Sequence, residues 1–161
     1  MIGLVGRARV GKDTVADFFR TTHDVRRFAQ PMKNAVKALY GWSDVMIETD
    51  IKDVIDPVWG VSPRTAMIQM AETTKQLVGP DFFVKRLFSE WDGEPIVIAD
   101  VRYENEVRAI HERGGITIKI TRAGNKYEFE DQIDSLQTTY EIYNDGNLDD
   151  LRTKVESLAL V

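Results

Sequence analysis

There is no cysteine among the 161 residues. That excludes a disulfide framework, a thiolate zinc site and a cysteine nucleophile. Histidine is scarce: His23 and His111 are the two present, too few for a His-rich metal centre. No apolar run approaches the ~20 residues that a membrane-spanning helix needs. Charged Arg7 and Arg9 interrupt the apolar start, so a secretory signal is not expected and a reducing cytoplasm is. Basic stripes and recognised nucleic-acid motifs are missing, which disfavours direct nucleic-acid binding. No repeat, low-complexity tract or flexible linker interrupts the chain.

What is present is ordinary globular composition, 43% apolar and 29% charged. The length suits one domain over residues 1–161. The net charge of −5 hides a strong segregation. Residues 1–40 carry eight Lys or Arg against three Asp, whereas 123–161 carry three against nine acids. Solvated helix faces would account for this pattern. So would a small anionic ligand meeting the N-terminal third.

The chain reads as alternating strands and helices. Ile2–Val5 is a short β-branched run, as in a buried parallel strand. From Lys12, Val15, Phe18 and Phe19 take helical spacing. A strand is expected over Val25–Phe28. Pro31 suits the first turn of a helix that closes near Gly41. Residues 43–61 look irregular. Ser62 and Pro63 are an N-cap and first helical position, and Met67, Met70, Ala71 and Leu77 form that helix's apolar side. A helix restarts at Asp81 and carries its apolar side to Trp91. Pro95–Ala99 is a buried strand ending at Asp100. Glu104–Arg113 is helical, Ile116, Ile118 and Ile120 alternate as in a strand, and Tyr140–Tyr143 form the last strand. Leu148–Leu160 closes the chain as an amphipathic helix. The predicted fold class is α/β, a mostly parallel five-stranded sheet flanked by helices in three layers.

The main motif is Gly6-Arg7-Ala8-Arg9-Val10-Gly11-Lys12-Asp13-Thr14. Its Gly-x4-Gly-Lys spacing between strand and helix is that of a Walker A loop. Glycines let backbone N–H groups curl around phosphate oxygens. The next helix turns unpaired N–H groups towards the anion, and Lys12 can reach β- and γ-phosphates as a mobile point charge. A glycine-rich turn with a surface lysine is the plainer reading. Asp13 stands where Ser or Thr usually helps to hold Mg²⁺. Its carboxylate suits either the metal or the first turn of a helix.

A second polar cluster follows the strand ending at Asp100. Ligands of open parallel sheets bind beyond the carboxyl ends of the strands, where the loop also lies. Asp100 suits a magnesium or acceptor site, or the cap of the next helix. Arg102 suits a phosphate clamp, Asn105 could orient the loop, and Glu106 could pair with an arginine. Lys33 and Arg64 lie at helix starts, settings that suit anions and equally suit solvated surface charge. His111 reads as structural or exposed.

Together these segments resemble the phage-type deoxynucleoside monophosphate kinases of the P-loop kinase group. The resemblance rests on the loop, on Phe28-Ala29-Gln30-Pro31-Met32-Lys33, on Ser62-Pro63-Arg64 with Gln69, and on Asp100-Val101-Arg102-Tyr103-Glu104-Asn105-Glu106. The strand ending in Arg122 and the tail Asn144-Asp145-Gly146-Asn147-Leu148-Asp149-Asp150-Leu151 extend it. It implies ATP- and Mg²⁺-dependent phosphorylation of a deoxynucleoside 5′-monophosphate. It assigns Gly6 to Thr14 to ATP, with Arg122 near the base. It assigns Lys33, Arg64, Gln69, Arg102 and Asn105 to the acceptor, Asp13 and Asp100 to the metal, and Lys12, Asp100 and Arg102 to catalysis. A homodimer is a further implication, and a lid that excludes water is expected within 122–135. The helix after Arg64 departs from the usual glycine before a threonine with a later arginine; here Ala71 and Lys75 stand nearby. The acidic 128–135 region lacks a His-containing segment. A kinase for another small phosphorylated acceptor and a non-catalytic nucleotide-binding module remain alternatives.

Overall fold

A computed structural model describes residues 1–124 and 131–158. The chain forms two compact units, one of residues 1–28 with 87–161 and the other of residues 29–86.

The first unit is built on five strands: β1 (Ile2–Val5), β2 (Asp24–Arg26), β3 (Ile96–Val101), β4 (Ile116–Thr121) and β5 (Tyr140–Tyr143). Their order is β2-β3-β1-β4-β5 and every pairing is parallel, so "mostly parallel" sharpens to wholly parallel. Helix α1 (Lys12–Phe18) and the C-terminal helix α7 (Leu148–Glu156) cover one face. There Val15, Ala16, Phe19, Leu151 and Val155 pack with Leu4, Val97, Ile118 and Ile142. Helix α6 (Glu104–His111) lies on the other. A side chain at Gly3 in β1 would stand 2.6 Å from Ile110 Cδ1, so the glycine lets α6 approach closely. These are the three layers expected. The sheet is buried on both faces, which is why its central strands read as unbroken apolar runs.

The second unit is helical: α2 (Gln30–Tyr40), α3 (Asp44–Glu48), a 3-10 turn (Asp50–Asp53) and α4 (Pro63–Val78). Helix α5 (Phe82–Phe88) carries the chain back to the first. The supposedly irregular 43–61 thus holds a helix and a 3-10 turn, both too short to show a period. Val36, Trp42, Ile47, Ala66 and Met67 form this unit's core, with Met32, Met46 and Met70 against it. Ser62 caps α4 as expected, its hydroxyl accepting the Thr65 N–H at 3.2 Å. Leu77 is exposed rather than packed, because α4 outruns the cluster that its first two turns meet. Helix α5 ends before Trp91, and α7 is described as far as Glu156. Among the described residues no helix is long and apolar enough to cross a membrane.

Candidate functional site

Strand register gathers the expected residues of the first unit at one sheet edge. Val5, which leads into the loop, pairs with Val101 on β3 and with Lys119 on β4. Asp100 therefore lies one residue before the strand position beside the loop's entry. On the far side of β3, Arg26 pairs with Ile98, so Arg27 and Phe28 flank Ala99 and Asp100. Thr121, just before Arg122, pairs with Tyr143, just before Asn144.

The loop is held by close contacts. Gly6 has φ 154°, and a Cβ there would stand 2.5 Å from the Ile120 carbonyl oxygen. Gly11 has φ 108°, and a Cβ there would meet Asn144 Nδ2 at 2.7 Å. Arg9 adopts φ 62° without being glycine, a local strain of a kind that concentrates at functional sites. Lys12 is only 8% exposed. Its ammonium folds back to donate to the Gly6 carbonyl at 2.7 Å and the Arg7 carbonyl at 2.6 Å. The cation thus lies under the loop, on the carbonyl side of the backbone expected to curl around phosphate. Arg7 forms an ion pair with Asp134 at 2.8 Å. Ala8 and Val10 complete the loop, and Thr14 follows in α1.

Asp13, in the first turn of α1, receives a 2.7 Å hydrogen bond from the Arg27 guanidinium. Asp100 accepts the Phe28 backbone N–H at 2.8 Å. It does not cap α6, whose N-cap position is Tyr103. Glu106 is buried and accepts the backbone N–H groups of Arg102 at 2.6 Å and Tyr103 at 3.1 Å. The turn carrying Arg102 is thereby fixed by backbone capping. Arg102 and Asn105 are half-buried on that turn. His111 is exposed, its Nε2 2.9 Å from Thr117 Oγ1.

A cavity of about 280 Å³ opens beside the loop, lined by Gly6, Arg7, Val10, Thr121, Arg122 and Asp134 among others. It places Arg122 next to the glycine-bounded loop. The expected lid, 122–135, falls partly outside the described residues, at 125–130.

The second unit holds Lys33, Arg64 and Gln69. Lys33 pairs with Glu48 at 2.6 Å and Arg64 with Asp53, while Gln69 is exposed on α4. Lys52 joins this group. Its pKa is pushed below the ordinary lysine value first by burial, then by the Arg64 and Lys33 cations. Three cations therefore crowd together with Glu48 and Asp53 among them. Such crowding disfavours the charged form unless anions offset it.

Three residues of this geometry had escaped the sequence reading as site residues. Arg27 reads as one arginine among several. Lys52 falls in the segment without periodicity. Asn144 is visible only as part of the tail resemblance, yet its buried amide donates to the Val10 carbonyl at 2.8 Å. Its backbone N–H also bonds Thr121 O at 2.7 Å.

Among the described residues no cluster of three or more His, Cys, Asp or Glu gathers. The chain offers single carboxylates, Asp13 and Asp100. That donor set fits Mg²⁺, which is bound through one or two carboxylates with substrate phosphates supplying further oxygens.

No family model matches the chain. A protein of Acanthamoeba polyphaga mimivirus named "putative deoxynucleotide monophosphate kinase" is 32% identical over 145 aligned positions, which cover 77% of this chain and 75% of that protein. Among solved structures, TT1252 from Thermus thermophilus matches with a TM-score of 0.50 at 14% identity, over 98% of this chain and 95% of its own, a likeness of fold alone. Shikimate kinase from Aquifex aeolicus gives 0.48 at 13% identity, over 99% and 98%.

Proposed function

The chain belongs to the deoxynucleotide monophosphate kinase family, and we propose that it transfers the γ-phosphate of ATP to a deoxynucleoside 5′-monophosphate, giving ADP and the diphosphate. The observation that carries this reading is the phosphate loop with buried Lys12 beside the strand that bears Asp100, joined by the Val5–Val101 register.

In this reading the loop N–H groups from Arg7 to Gly11 hold the phosphates of ATP. Lys12 exchanges the Gly6 and Arg7 carbonyls for β- and γ-phosphate oxygens. Arg122 flanks the base in the cavity beside the loop. Asp13 and Asp100 would hold magnesium, which when bound neutralises charge on the β- and γ-phosphates. Lys33, Arg64 and Lys52 bind the acceptor's phosphate, and Gln69 and Asn105 are the further acceptor residues that the family resemblance implies. Their crowding supports the assignment, because an arriving dianion offsets the mutual repulsion of the three cations.

Transfer is direct. An acceptor phosphate oxygen attacks the γ-phosphorus in line, the bond to the β-phosphate oxygen breaks, and ADP leaves with those electrons. No phosphoenzyme forms. Arg102, at the end of β3, neutralises the transferred group. Positioning and charge neutralisation supply most of the acceleration.

A coupled assay with ATP, Mg²⁺ and each deoxynucleoside monophosphate tests the proposal. Turnover with at least one of them is expected. Folded protein that binds ATP yet turns over none would sink it. Competition by other small phosphorylated acceptors would then separate a kinase of different acceptor class from a binding module.

A further inference from the structure

We propose that Arg27 is a positioning residue that couples nucleotide binding at the phosphate loop to magnesium. It neutralises Asp13 while no cation is present and yields Asp13 when a metal–nucleotide complex arrives. The inference rests on the nucleotide-binding reading above and adds a device to it.

Asp13 immediately follows Lys12 and is 77% exposed. An unneutralised carboxylate there would repel a triphosphate held by the loop. Arg27 removes that charge through the 2.7 Å bond from Nη2 to Asp13 Oδ1. The guanidinium is delivered by fixed backbone. Arg26 is in register with Ile98, and the Phe28 N–H is bonded to Asp100. One two-residue step, Arg27-Phe28, therefore engages both carboxylates proposed to hold the metal, one by side chain and one by backbone.

The pair is also easy to open. Its carboxylate side is open to water, Asp13 being 77% and Arg27 28% exposed, and an ion pair that reaches solvent on that side contributes little net stability, so a divalent cation carried in on a nucleotide can replace the guanidinium. A Ser or Thr at position 13 would need no such partner, since a hydroxyl brings no charge. Carboxylate and arginine together thus form a binary arrangement, closed by Arg27 or open towards the metal.

Calorimetric titration with ATP, in EDTA and then in excess Mg²⁺, reads this as a ratio of affinities. In Arg27→Ala the affinity for metal-free ATP should fall about tenfold, with the Mg-ATP affinity changed by less than about twofold, as expected for directly coupled charges. In Asp13→Asn the magnesium dependence should shrink. The double variant should match Asp13→Asn alone, and Arg27→Lys should restore most of the wild-type ratio. Equal losses with and without magnesium would overturn the inference, because Arg27 would then be a plain phosphate ligand or a structural residue. Additive effects in the double variant would overturn it too. Either result would leave the kinase reading standing. Wild-type protein that binds no ATP in either buffer would remove both.

Discussion

At the residue scale, buried polar contacts set the loop's shape. Lys12 is parked on two loop carbonyls, contacts that under the proposed function are exchanged for phosphate oxygens. Lys12→Ala should lower kcat by roughly 10²–10³-fold or more, as loss of a transition-state charge contact does. Thermal melts would check that the variant remains folded. Asn144 acts from outside the loop. Asn144→Ala strips the Val10 carbonyl of its 2.8 Å donor and opens space beside Gly11. Leaving such a group unpaired costs about 1–3 kcal/mol. Reduced stability in denaturant titrations should therefore accompany weaker ATP binding. Wild-type ATP affinity in a measurably destabilised Asn144→Ala would show that the amide supports the fold and not the loop.

At the element scale, the short 3-10 turn Asp50–Asp53 matters more than its length suggests. It brings Lys52 among Arg64 and Lys33, and Asp53 to Arg64. Burial and two neighbouring cations disfavour the Lys52 charge, so under the proposed reading an arriving anion would relieve that repulsion. Lys52→Met should raise the acceptor KM by about tenfold, the effect of one lost charge-assisted contact, while leaving the Tm unchanged or higher. A lowered Tm with an unchanged KM would assign Lys52 to the fold alone. Helix α4 shows the opposite balance. Its start was legible, because Ser62 and Pro63 are local signals with a local cause. Its exposed far end was not, because periodicity marks one side of a helix without marking where the neighbouring core stops.

At the scale of the whole molecule, one acidic group ties a unit's core to pH. The indole N–H of Trp42 donates to Asp56 at 2.7 Å. That bond, with the Val58 N–H, holds the Asp56 carboxyl below its ordinary value of 3.8. A carboxyl depressed in the folded state stabilises the fold above its unfolded pKa and loses that contribution as pH falls through the folded value. Acid titration followed by tryptophan fluorescence should therefore show a transition below about pH 4. In Asp56→Asn that pH-dependent component should be missing, and an unaltered transition would assign it to other carboxyls.

Much of this protein could be read directly from the chain. The glycine-bounded loop after β1, the apolar strands and the capped start of α4 are each written in a few adjacent residues, because turn geometry, burial on two faces and capping are short-range physics. The resemblance to deoxynucleoside monophosphate kinases was carried by such segments, and the 32% identical mimivirus protein supports the same family. Arg27 on Asp13, Asn144 on Val10 and Lys52 beside Arg64 were not readable. Each partner lies 12 or more residues away, and its role depends on where strand register and a short 3-10 turn deliver it. Sequence alone thus determined which chemistry was available: lysine, arginine and carboxylates, without thiol or clustered imidazole. Only the tertiary structure decided which charge neutralises which, because Coulomb energy depends on distance between side chains and not on their separation along the chain.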